Sequence, residues 1–264
     1  MIKDIMNSIS PLWGICGFDE ISSHLIECRA KNRLPENAKS VIVACFPYLL
    51  DKEVYKESNI SKYAVVTDYH SVALSRLNSA CEKLREMFPD EKFEAFADNS
   101  PISEVRAACL AGLGVRGMNS LLITEDFGSY VFIGEIITTL ELESAKAAIE
   151  PCIQCKKCLR VCPAKALDGN GVDTRKCLSA VTQKKGSLTE DEKKLMLECG
   201  CVWGCDICQD VCPMNRNAAT TQIEEFILSP VPVLTPETEL DGRAYEWRGR
   251  KVTERNLAVF GLTD

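Results

Sequence analysis

The sequence contains no long apolar run. Its longest, VIVACFPYLL, is far shorter than the roughly 20 apolar residues that cross a membrane as a helix. The N-terminus also lacks the charged segment followed by an apolar one that marks a secretory signal. We therefore expect a cytoplasmic protein that does not enter the membrane.

Glycine-rich nucleotide loops are absent as well. GLGVRG has no strand before it and DGNGVD has no helix after it, so neither has the context of a Rossmann or P-loop motif. There is no internal repeat and no low-complexity segment. A net charge of −7 argues against loose, non-specific binding of nucleic acid. A content of 46% hydrophobic and 26% charged residues is typical of a globular protein of one or two domains.

Cysteine, by contrast, is abundant and concentrated. Ten of the fifteen cysteines lie between positions 152 and 212. The stretch PCIQCKKCLRVCP has the spacing C-x2-C-x2-C-x3-C-P, which gives three thiolates to one [4Fe–4S] cluster and the fourth to a second cluster. A zinc ribbon offers two separated C-x2-C pairs, and disulfide frameworks belong to small secreted chains, so neither fits. The spacing predicts two [4Fe–4S] clusters.

A second run, CDICQDVCP, repeats the pattern without its first cysteine, because position 202 is valine. Crossed pairing of the two runs, as in two-cluster ferredoxins, assigns seven of the eight ligands. The first cluster is predicted to bind Cys152, Cys155, Cys158 and Cys212. The second cluster is predicted to bind Cys162, Cys205 and Cys208.

The eighth ligand has three candidates in the sequence. Cys199 and Cys201 are close to the second run but form an unusual C-x-C-x3-C arrangement with it. Cys177, in DTRKCLSAVT, comes from the stretch between the two runs, which can fold back over the cluster. The spacing argument favours Cys177.

The first part of the chain predicts an α+β layer structure. Stretches rich in β-branched and aromatic residues predict strands at SVIVACFPY, KFEAFAD, SLLIT and SYVFIGEIITTL. Helices are predicted over YHSVALSRLNSACEKLREMF and SEVRAACLAGLG. The apolar side of the longer helix is predicted to carry Val72, Leu74, Leu77, Ala80, Cys81 and Leu84. We expect this domain over residues 1–145, the cluster module over 146–217 and a C-terminal segment over 218–264.

The C-terminal segment divides into two parts. LSPVPVLTPETEL contains three prolines and predicts an extended connection along the surface. GRAYEWRGRKVTERNLAVFGL then predicts a terminal helix region rich in arginine and lysine. These basic side chains form either a solvated helix face or a contact for an RNA phosphate backbone.

The stretch KYAVVTDYHSVALSRL contains the first candidate for chemistry, Asp68, where a strand-like stretch meets a helix. An aspartate at that place can cap the helix by accepting a backbone N–H of its first turn. It can also serve as a general acid. His70 almost completes the D-x-H-x-x-G loop of some cobalt-ligating proteins, but Ala73 replaces the glycine, so we do not expect it to bind cobalt.

The whole chain resembles the cobalamin-dependent epoxyqueuosine reductases, from PLWGICGFDE near its start to RNLAVFGL near its end. The most specific pieces are LPENAKSVIVACFPY, KYAVVTDYH, ADNSPISEVRAACLAGLGVRGMNSLLI, GSYVFIGEIITTLEL, RKCLSAVTQKKG and both cysteine runs. The resemblance implies a nitroreductase-like domain that binds base-off cobalamin, followed by a ferredoxin-like module with two clusters. In that family the clusters deliver electrons to cobalt, and epoxyqueuosine in tRNA is reduced to queuosine.

Residue by residue, the resemblance implies Asp68 as the acid that protonates the departing oxygen. It implies Cys177 as the fourth ligand of the second cluster. It also implies that Ser179, the Cys205–Asp206 segment and the backbone around Gly134 contact the corrin. The implied partners are tRNA carrying epoxyqueuosine and an external donor of low-potential electrons.

The chain departs from the family pattern at three places. Val66 and Thr67 replace a Gly-Arg pair before Asp-Tyr-His, and Met118 replaces a lysine. The helical-repeat domain that typical members use to hold tRNA does not follow the cluster module in these 264 residues. Two alternatives therefore accompany the tRNA prediction. One is a corrinoid iron–sulfur reductase that acts on a C–O or C–halogen bond of a small molecule, and the other is a non-catalytic electron-transfer protein.

Overall fold

The computed structural model describes residues 1–144 and 152–262, which form two compact units. The first unit contains Met1–Pro47, His70–Gly117 and Leu121–Cys152. The second contains Tyr48–Tyr69, Met118–Ser120 and Ile153–Asp264. The predicted domain boundary at 145/146 lies outside the described residues, and the proposed three-part division stays a prediction.

Six strands are present in the described part of the chain. They are β1 (Leu12–Gly17), β2 (Ser40–Pro47), β3 (Phe93–Phe96), β4 (Val115–Arg116), β5 (Leu122–Ile123) and β6 (Val131–Thr138). The helices are α1 (Ile2–Ile9), α2 (Asp19–Ser22), α3 (Lys62–Val65), α4 (Tyr69–Met87), α5 (Glu104–Leu110), α6 (Lys157–Val161), α7 (Leu178–Gln183), α8 (Glu190–Cys199), α9 (Ile207–Asp210), α10 (Glu224–Ile227) and α11 (Arg250–Val259). Short 3-10 turns occupy Arg29–Arg33, Lys52–Tyr55, Pro213–Asn215 and Glu246–Arg248.

The first unit is built on a four-stranded antiparallel sheet with the order β1-β2-β6-β3. Every residue of β2 is buried, which explains its continuous apolar sequence, SVIVACFP. Helix α5 packs against β1, β2 and β6 and contributes Ala107, Ala108 and Cys109 to the core. A two-stranded pairing of β4 with β5 completes the strands.

Helix α4 follows the predicted amphipathic pattern closely. Val72, Leu77, Ala80, Cys81 and Leu84 are buried, and Ala73 joins them. Leu74, predicted on the same side, is only half-buried. The predicted strands around β2, β3, β5 and β6 and the predicted helices around α4 and α5 are present, so the α+β prediction is confirmed.

The second unit consists of short helices joined by irregular chain. Helices α7 and α8 pack against each other and against α11, around an apolar cluster of Leu178, Val181, Leu188 and Met196. Helix α8 begins with a reciprocal capping box between Thr189 and Glu192. The proline-rich stretch predicted to be extended contains no helix or strand, and Val231 N–H anchors it to the Val65 carbonyl at 2.8 Å. Within the described residues, no helix is long and apolar enough to span a membrane.

Candidate cluster and cofactor site

The two cysteine runs fold into a pair of short helices in the second unit. Helix α6 carries Cys158, helix α9 carries Cys208, and the two helices pack together. Helix α6 ends at Val161, directly before Cys162, and helix α9 ends at Asp210, two residues before Cys212. A proline follows the last cysteine of each run, where it prevents a helix from continuing. The two similar cysteine runs thus each form one short helix.

The chain around the first run has an unusual backbone. Gln154, Lys156 and Lys165 all have positive φ, at 54°, 58° and 46°, although none is glycine. Left-handed residues alternating with ordinary ones turn successive backbone N–H groups toward one concavity, which suits a negatively charged centre such as an iron–sulfur cluster. The backbone N–H of Ala166 donates to the Cys162 sulfur at 3.3 Å.

The thiols of the two runs lie close enough to influence one another. Burial raises the pKa of Cys208 to about 12, and Cys177, Cys162 and Cys158 raise it further. Cys177 therefore lies close enough to Cys208, one of the cysteines predicted for the second cluster, to influence its pKa. A bound cluster reverses this effect, because iron holds the thiols as thiolates.

The two competing cysteines have different neighbours. Burial raises the pKa of Cys201 to about 11, with Asp206 and Cys199 adding to it. Burial also raises the pKa of Cys199, followed by Glu198 and Cys162. Over residues 1–144 and 152–262, no three His, Cys, Asp or Glu side chains converge on a point that could hold a single metal ion.

Asp206, predicted to contact the corrin, is buried at the start of α9 in a polar network. Its Oδ2 accepts the Lys62 backbone N–H at 2.6 Å, and its Oδ1 accepts from Gln209 Nε2 at 3.0 Å. Burial raises the pKa of Asp206 to about 6, and Lys62 opposes this rise. The Lys62 ammonium itself binds Asp210 at 2.6 Å. Asp206 therefore anchors α3 to α9 whatever else it contacts.

Ser179, predicted to contact the corrin, lies on α7 beside a second network. Gln183 Nε2 donates to the Ser179 carbonyl at 3.1 Å and to the Tyr63 hydroxyl at 3.3 Å. Trp203 Nε1 also donates to the Tyr63 hydroxyl, at 2.9 Å. Among the described residues, Ser179 Oγ accepts a long bond of 3.4 Å from Gln183, and its hydroxyl can also act as a donor.

Asp68 lies directly before α4, where a helix cap or a catalytic acid was predicted. Its backbone N–H donates to the Gly242 carbonyl at 2.8 Å, and the neighbouring Thr67 pairs with Arg243 in an isolated bridge. Thr67, one of the departures from the family pattern, also donates its hydroxyl to the Glu225 carbonyl at 2.8 Å. The C-terminal segment thus fixes the backbone at Asp68.

In the first unit, Gly134 lies in β6 opposite Ala44 of β2. A Cβ added to Gly134 would lie 2.7 Å from Leu77 Cδ1 and 3.2 Å from the Phe96 carbonyl oxygen. A side chain here would therefore have to displace Leu77 of α4 and press on the Phe96 carbonyl, independently of the predicted corrin contact.

The first unit also contains a carboxylate that the sequence reasoning did not single out. Asp98 follows β3, and its Oδ2 lies 3.3 Å from Nε2 of His70. Asp98 has φ +63°, a conformation that residues with a side chain seldom adopt outside functional or tightly held turns. The signal available in the sequence was an aspartate two residues after a strand and three residues before a proline.

The basic residues of the C-terminal segment are mostly engaged with the chain itself. The Arg255 guanidinium donates to the carbonyls of Lys184, Gly186 and Thr182. Arg250 binds the Pro236 carbonyl at 2.8 Å and the Thr238 carbonyl at 3.0 Å. These contacts account for both arginines as structural residues.

Comparison with known proteins matches two parts of the chain to two different families. The family described as a 4Fe-4S double cluster binding domain matches residues 151–215, and the family described as epoxyqueuosine reductase QueG matches residues 29–99. The epoxyqueuosine reductase of Lactococcus garvieae is 30% identical over 246 residues, which is 86% of this chain and 69% of that protein. The chain belongs to the epoxyqueuosine reductase family. The predictions of the family, of an oxidoreductase and of two [4Fe–4S] clusters are confirmed.

Other members of the epoxyqueuosine reductase family and more distant proteins extend this comparison. The Listeria monocytogenes enzyme is 36% identical over 205 residues, and the match spans 73% of this chain but only 54% of that protein. The solved epoxyqueuosine reductase from Streptococcus thermophilus has 25% identity and a TM-score of 0.81, covering 98% of this chain and 79% of that chain.

Two further solved structures share the fold. One is an epoxyqueuosine reductase with an epoxyqueuosine-modified tRNA stem loop, at 24% identity and a TM-score of 0.80, covering 99% of this chain and 81% of that one. The other is a reductive dehalogenase linked to B12-dependent dehalogenation, at 17% identity and a TM-score of 0.52, covering 97% of this chain and 37% of that chain.

Proposed function

We propose that this chain reduces epoxyqueuosine to queuosine in tRNA. The observation that supports this most strongly is the joint occurrence, in one chain, of the double-cluster module and the epoxyqueuosine reductase sequence. The reaction takes two electrons and two protons, breaks the epoxide carbon–oxygen bonds and releases the oxygen as water. An external low-potential donor supplies the electrons, and we place the reaction in the cytoplasm, where a reducing environment preserves cluster thiolates.

We propose cobalamin as the reacting cofactor, in its base-off form. When bound, it supplies a strongly reducing cobalt centre for opening the epoxide. The related fold of a protein linked to B12-dependent dehalogenation supports this choice. The residues that would hold it are Asp68, Gly134, Ser179, Cys205 and Asp206. Of these, Ser179 has a hydroxyl hydrogen to donate, and the Cys205–Asp206 peptide is fixed by the network around Lys62.

The clusters would be held by two crossed sets of cysteines. One set is Cys152, Cys155, Cys158 and Cys212, and the other is Cys162, Cys177, Cys205 and Cys208. The packing of α6 on α9 and the proximity of Cys177 to Cys208 support this crossing. Electrons would pass through them toward the cofactor.

The departing oxygen requires a proton, and we propose Asp68 as its source. A positioned carboxylic acid next to a developing alkoxide lowers the barrier to C–O cleavage. The backbone at Asp68 is fixed by the hydrogen bond to Gly242, which favours a constant position for the carboxyl group. Asp98 is the competing acid, because its left-handed backbone and its contact with His70 single it out among the described carboxylates.

The test is a single-turnover assay on anaerobically purified chain loaded with iron, sulfide and cobalamin. The substrate is a tRNA anticodon stem-loop that carries epoxyqueuosine, and mass spectrometry follows the loss of one oxygen. Conversion to queuosine that requires reduced chain is the expected result. If both cofactors are bound and reduced but the epoxyqueuosine in the stem-loop is not converted, the result would point instead to a small-molecule C–O or C–halogen substrate. A chain that binds clusters but no corrinoid would point to an electron-transfer protein.

A further inference from the structure

Two glutamates reach the same loop of the first unit from different elements. The loop, residues 97–103, joins β3 to α5. Glu104, in the first turn of α5, accepts the backbone N–H of Asp98 at 2.7 Å. Glu135, in the middle of β6, accepts the hydroxyl of Ser100. Both attachment points lie within three residues of chain.

The loop conformation between these points needs support. Asp98 has φ +63°, which costs energy for a residue with a Cβ. The loop makes short internal bonds: Asn99 N–H to the Ala97 carbonyl at 2.8 Å and Ser100 N–H to the Asp98 carbonyl at 2.9 Å. Ser100 Oγ also accepts the Ile102 N–H at 3.3 Å. In this conformation the Asp98 carboxylate lies 3.3 Å from His70 Nε2.

Glu135 is suited to act as a neutral group. It is fully buried, and in the described part of the chain its Oε2 has no hydrogen-bond partner, a poor environment for a negative charge. Burial raises the pKa of Glu135 well above its usual range, Glu104 raises it further, and Ser100 lowers it. Burial raises the pKa of the Cys16 thiol on β1, and Glu20 and Glu135 raise it further. A neutral carboxyl group can still accept the Ser100 hydroxyl.

Glu104 is the partner that titrates in the physiological range. Burial raises its pKa to about 7, the Asp98 N–H lowers it, the Asp98 charge raises it, and His70 lowers it. When Glu104 is ionised, its charge makes ionisation of the buried Glu135 still less favourable.

We propose that Glu104 and Glu135 are positioning residues, which together hold the Asp98 loop in the conformation that brings the Asp98 carboxylate against His70. Neither glutamate contacts the reacting atoms in this role. The effect of these two glutamates on turnover rests on the proposed function, whereas their effect on the loop does not. The loop conformation itself can be measured without substrate.

The first test is hydrogen–deuterium exchange of the cluster-loaded chain, followed by mass spectrometry of the peptide over residues 97–104. Ser100→Ala and Glu104→Ala each remove one attachment, and we expect exchange in this peptide to accelerate at least about tenfold. Glu104→Gln and Glu135→Gln keep an oxygen acceptor, so we expect near wild-type exchange. Glu86→Gln, an exposed glutamate on α4, is the matched control.

The same samples report whether the change is local. Strand β2 should exchange at the wild-type rate in every variant. If β2 also accelerates in Ser100→Ala, that variant has destabilised the whole first unit. The exchange of the 97–104 peptide in Glu104→Ala then decides the question. Wild-type exchange over residues 97–104 in Glu104→Ala would overturn the proposal.

The second test uses the fact that the chain has only two histidines, His24 and His70. Slow exchange of the imidazole C2 hydrogen, read by mass spectrometry across pH, gives the titration midpoint of each ring. A carboxylate beside an imidazole favours its charged form. The His70 midpoint should therefore fall in Ser100→Ala and Glu104→Ala. In Glu104→Gln, which keeps the loop attachment and removes only the Glu104 charge, it should fall less than in Glu104→Ala. His24, exposed and bonded to Ser23, is the internal control. A His70 midpoint unchanged in both alanine variants would refute the positioning role, even if turnover were lost.

Discussion

The backbone N–H of Ala166 donates, at 3.3 Å, to the sulfur of Cys162, which lies four residues earlier in the chain. Bonds of this kind stabilise negative charge on sulfur and contribute to the reduction potential of a bound cluster. The bond exists because Lys165, with φ 46°, turns the chain back immediately after the first cysteine run. The polypeptide thus shapes the surroundings of a predicted ligand before any iron is bound.

The first prediction concerns the eighth cluster ligand. Two complete clusters correspond to about eight irons per chain. Cys177→Ala should fall to about half of that value, because it removes the only predicted ligand outside the two runs. Cys199→Ala and Cys201→Ala should retain the full iron content and serve as controls. The measurement is iron and sulfide per chain after anaerobic reconstitution. Full iron in Cys177→Ala together with loss in Cys201→Ala would reassign the ligand.

The second prediction distinguishes the two candidate acids. Asparagine caps a helix about as well as aspartate but cannot deliver a proton. If Asp68 is the acid, Asp68→Asn should lower single-turnover conversion by roughly 10²–10⁴-fold, the usual contribution of a positioned general acid. Iron and corrinoid content should stay unchanged. Asp98→Asn is assayed in parallel, and wild-type conversion by Asp68→Asn combined with a large loss in Asp98→Asn would transfer the role to Asp98.

The third prediction is a pH dependence that follows from Glu104. Its pKa is about 7 in the folded chain, raised from 4.5 mainly by burial, so the folded state keeps a proton that the unfolded state has lost. The contribution to stability is therefore present at low pH and is lost as pH rises toward 7, with a slope of at most about 1.4 kcal/mol per pH unit. Because glutamine does not ionise, Glu104→Gln should not show this loss. The melting temperature of Glu104→Gln minus that of wild type should therefore increase as pH rises from 5 to 8. Parallel curves for the two proteins would contradict this, and Glu86→Gln should run parallel to wild type.

The fourth prediction compares two glycines that share a backbone conformation. Gly204 has φ +77° and Gly186 has φ +80°. A Cβ on Gly204 would lie 1.8 Å from Ser61 Oγ and 2.6 Å from Ser61 Cβ, whereas a Cβ on Gly186 meets nothing within 4 Å. Both alanine variants therefore carry the same backbone penalty, and Gly204→Ala adds overpacking of roughly 1–3 kcal/mol.

Because Gly204 directly precedes the predicted ligand Cys205, this clash should also be visible in cluster retention. We expect Gly204→Ala to lose iron at a lower temperature than Gly186→Ala in an anaerobic thermal ramp followed by cluster absorbance. Equal midpoints for the two variants would show that Ser61 moves aside without cost.

Several elements were predictable because their signals are local. The cysteine spacing predicted the cluster module, and the apolar periodicity of α4 predicted its buried side, since both depend on residues near one another in sequence. Strand β1 was missed: its sequence, LWGICG, has two glycines and few β-branched residues. It forms because β2 lies beside it and pairs with all six of its residues.

The proximity of Asp98 to His70 was missed for the same reason. The two residues are 28 positions apart, and only the chain path through α4 and β3 brings them together. Nothing in the composition of either segment indicates that contact. The Asp68 and corrin assignments came from family resemblance, and they stay predictions.

The division of the chain into units has a consequence for biosynthesis. Residues 48–69 belong to the second unit, although they emerge from the ribosome long before the rest of it. Their partners come late: Ser61 N–H donates to the Trp203 carbonyl at 2.8 Å, and Thr221 N–H donates to the Leu49 carbonyl at 2.7 Å. During translation, well over a hundred further residues must therefore be added before this segment can form these hydrogen bonds. Nascent chains are exposed to chaperones and proteases during this period. A fragment of residues 153–264 alone would lack residues 48–69. An isolated cluster module therefore has to include that segment as well.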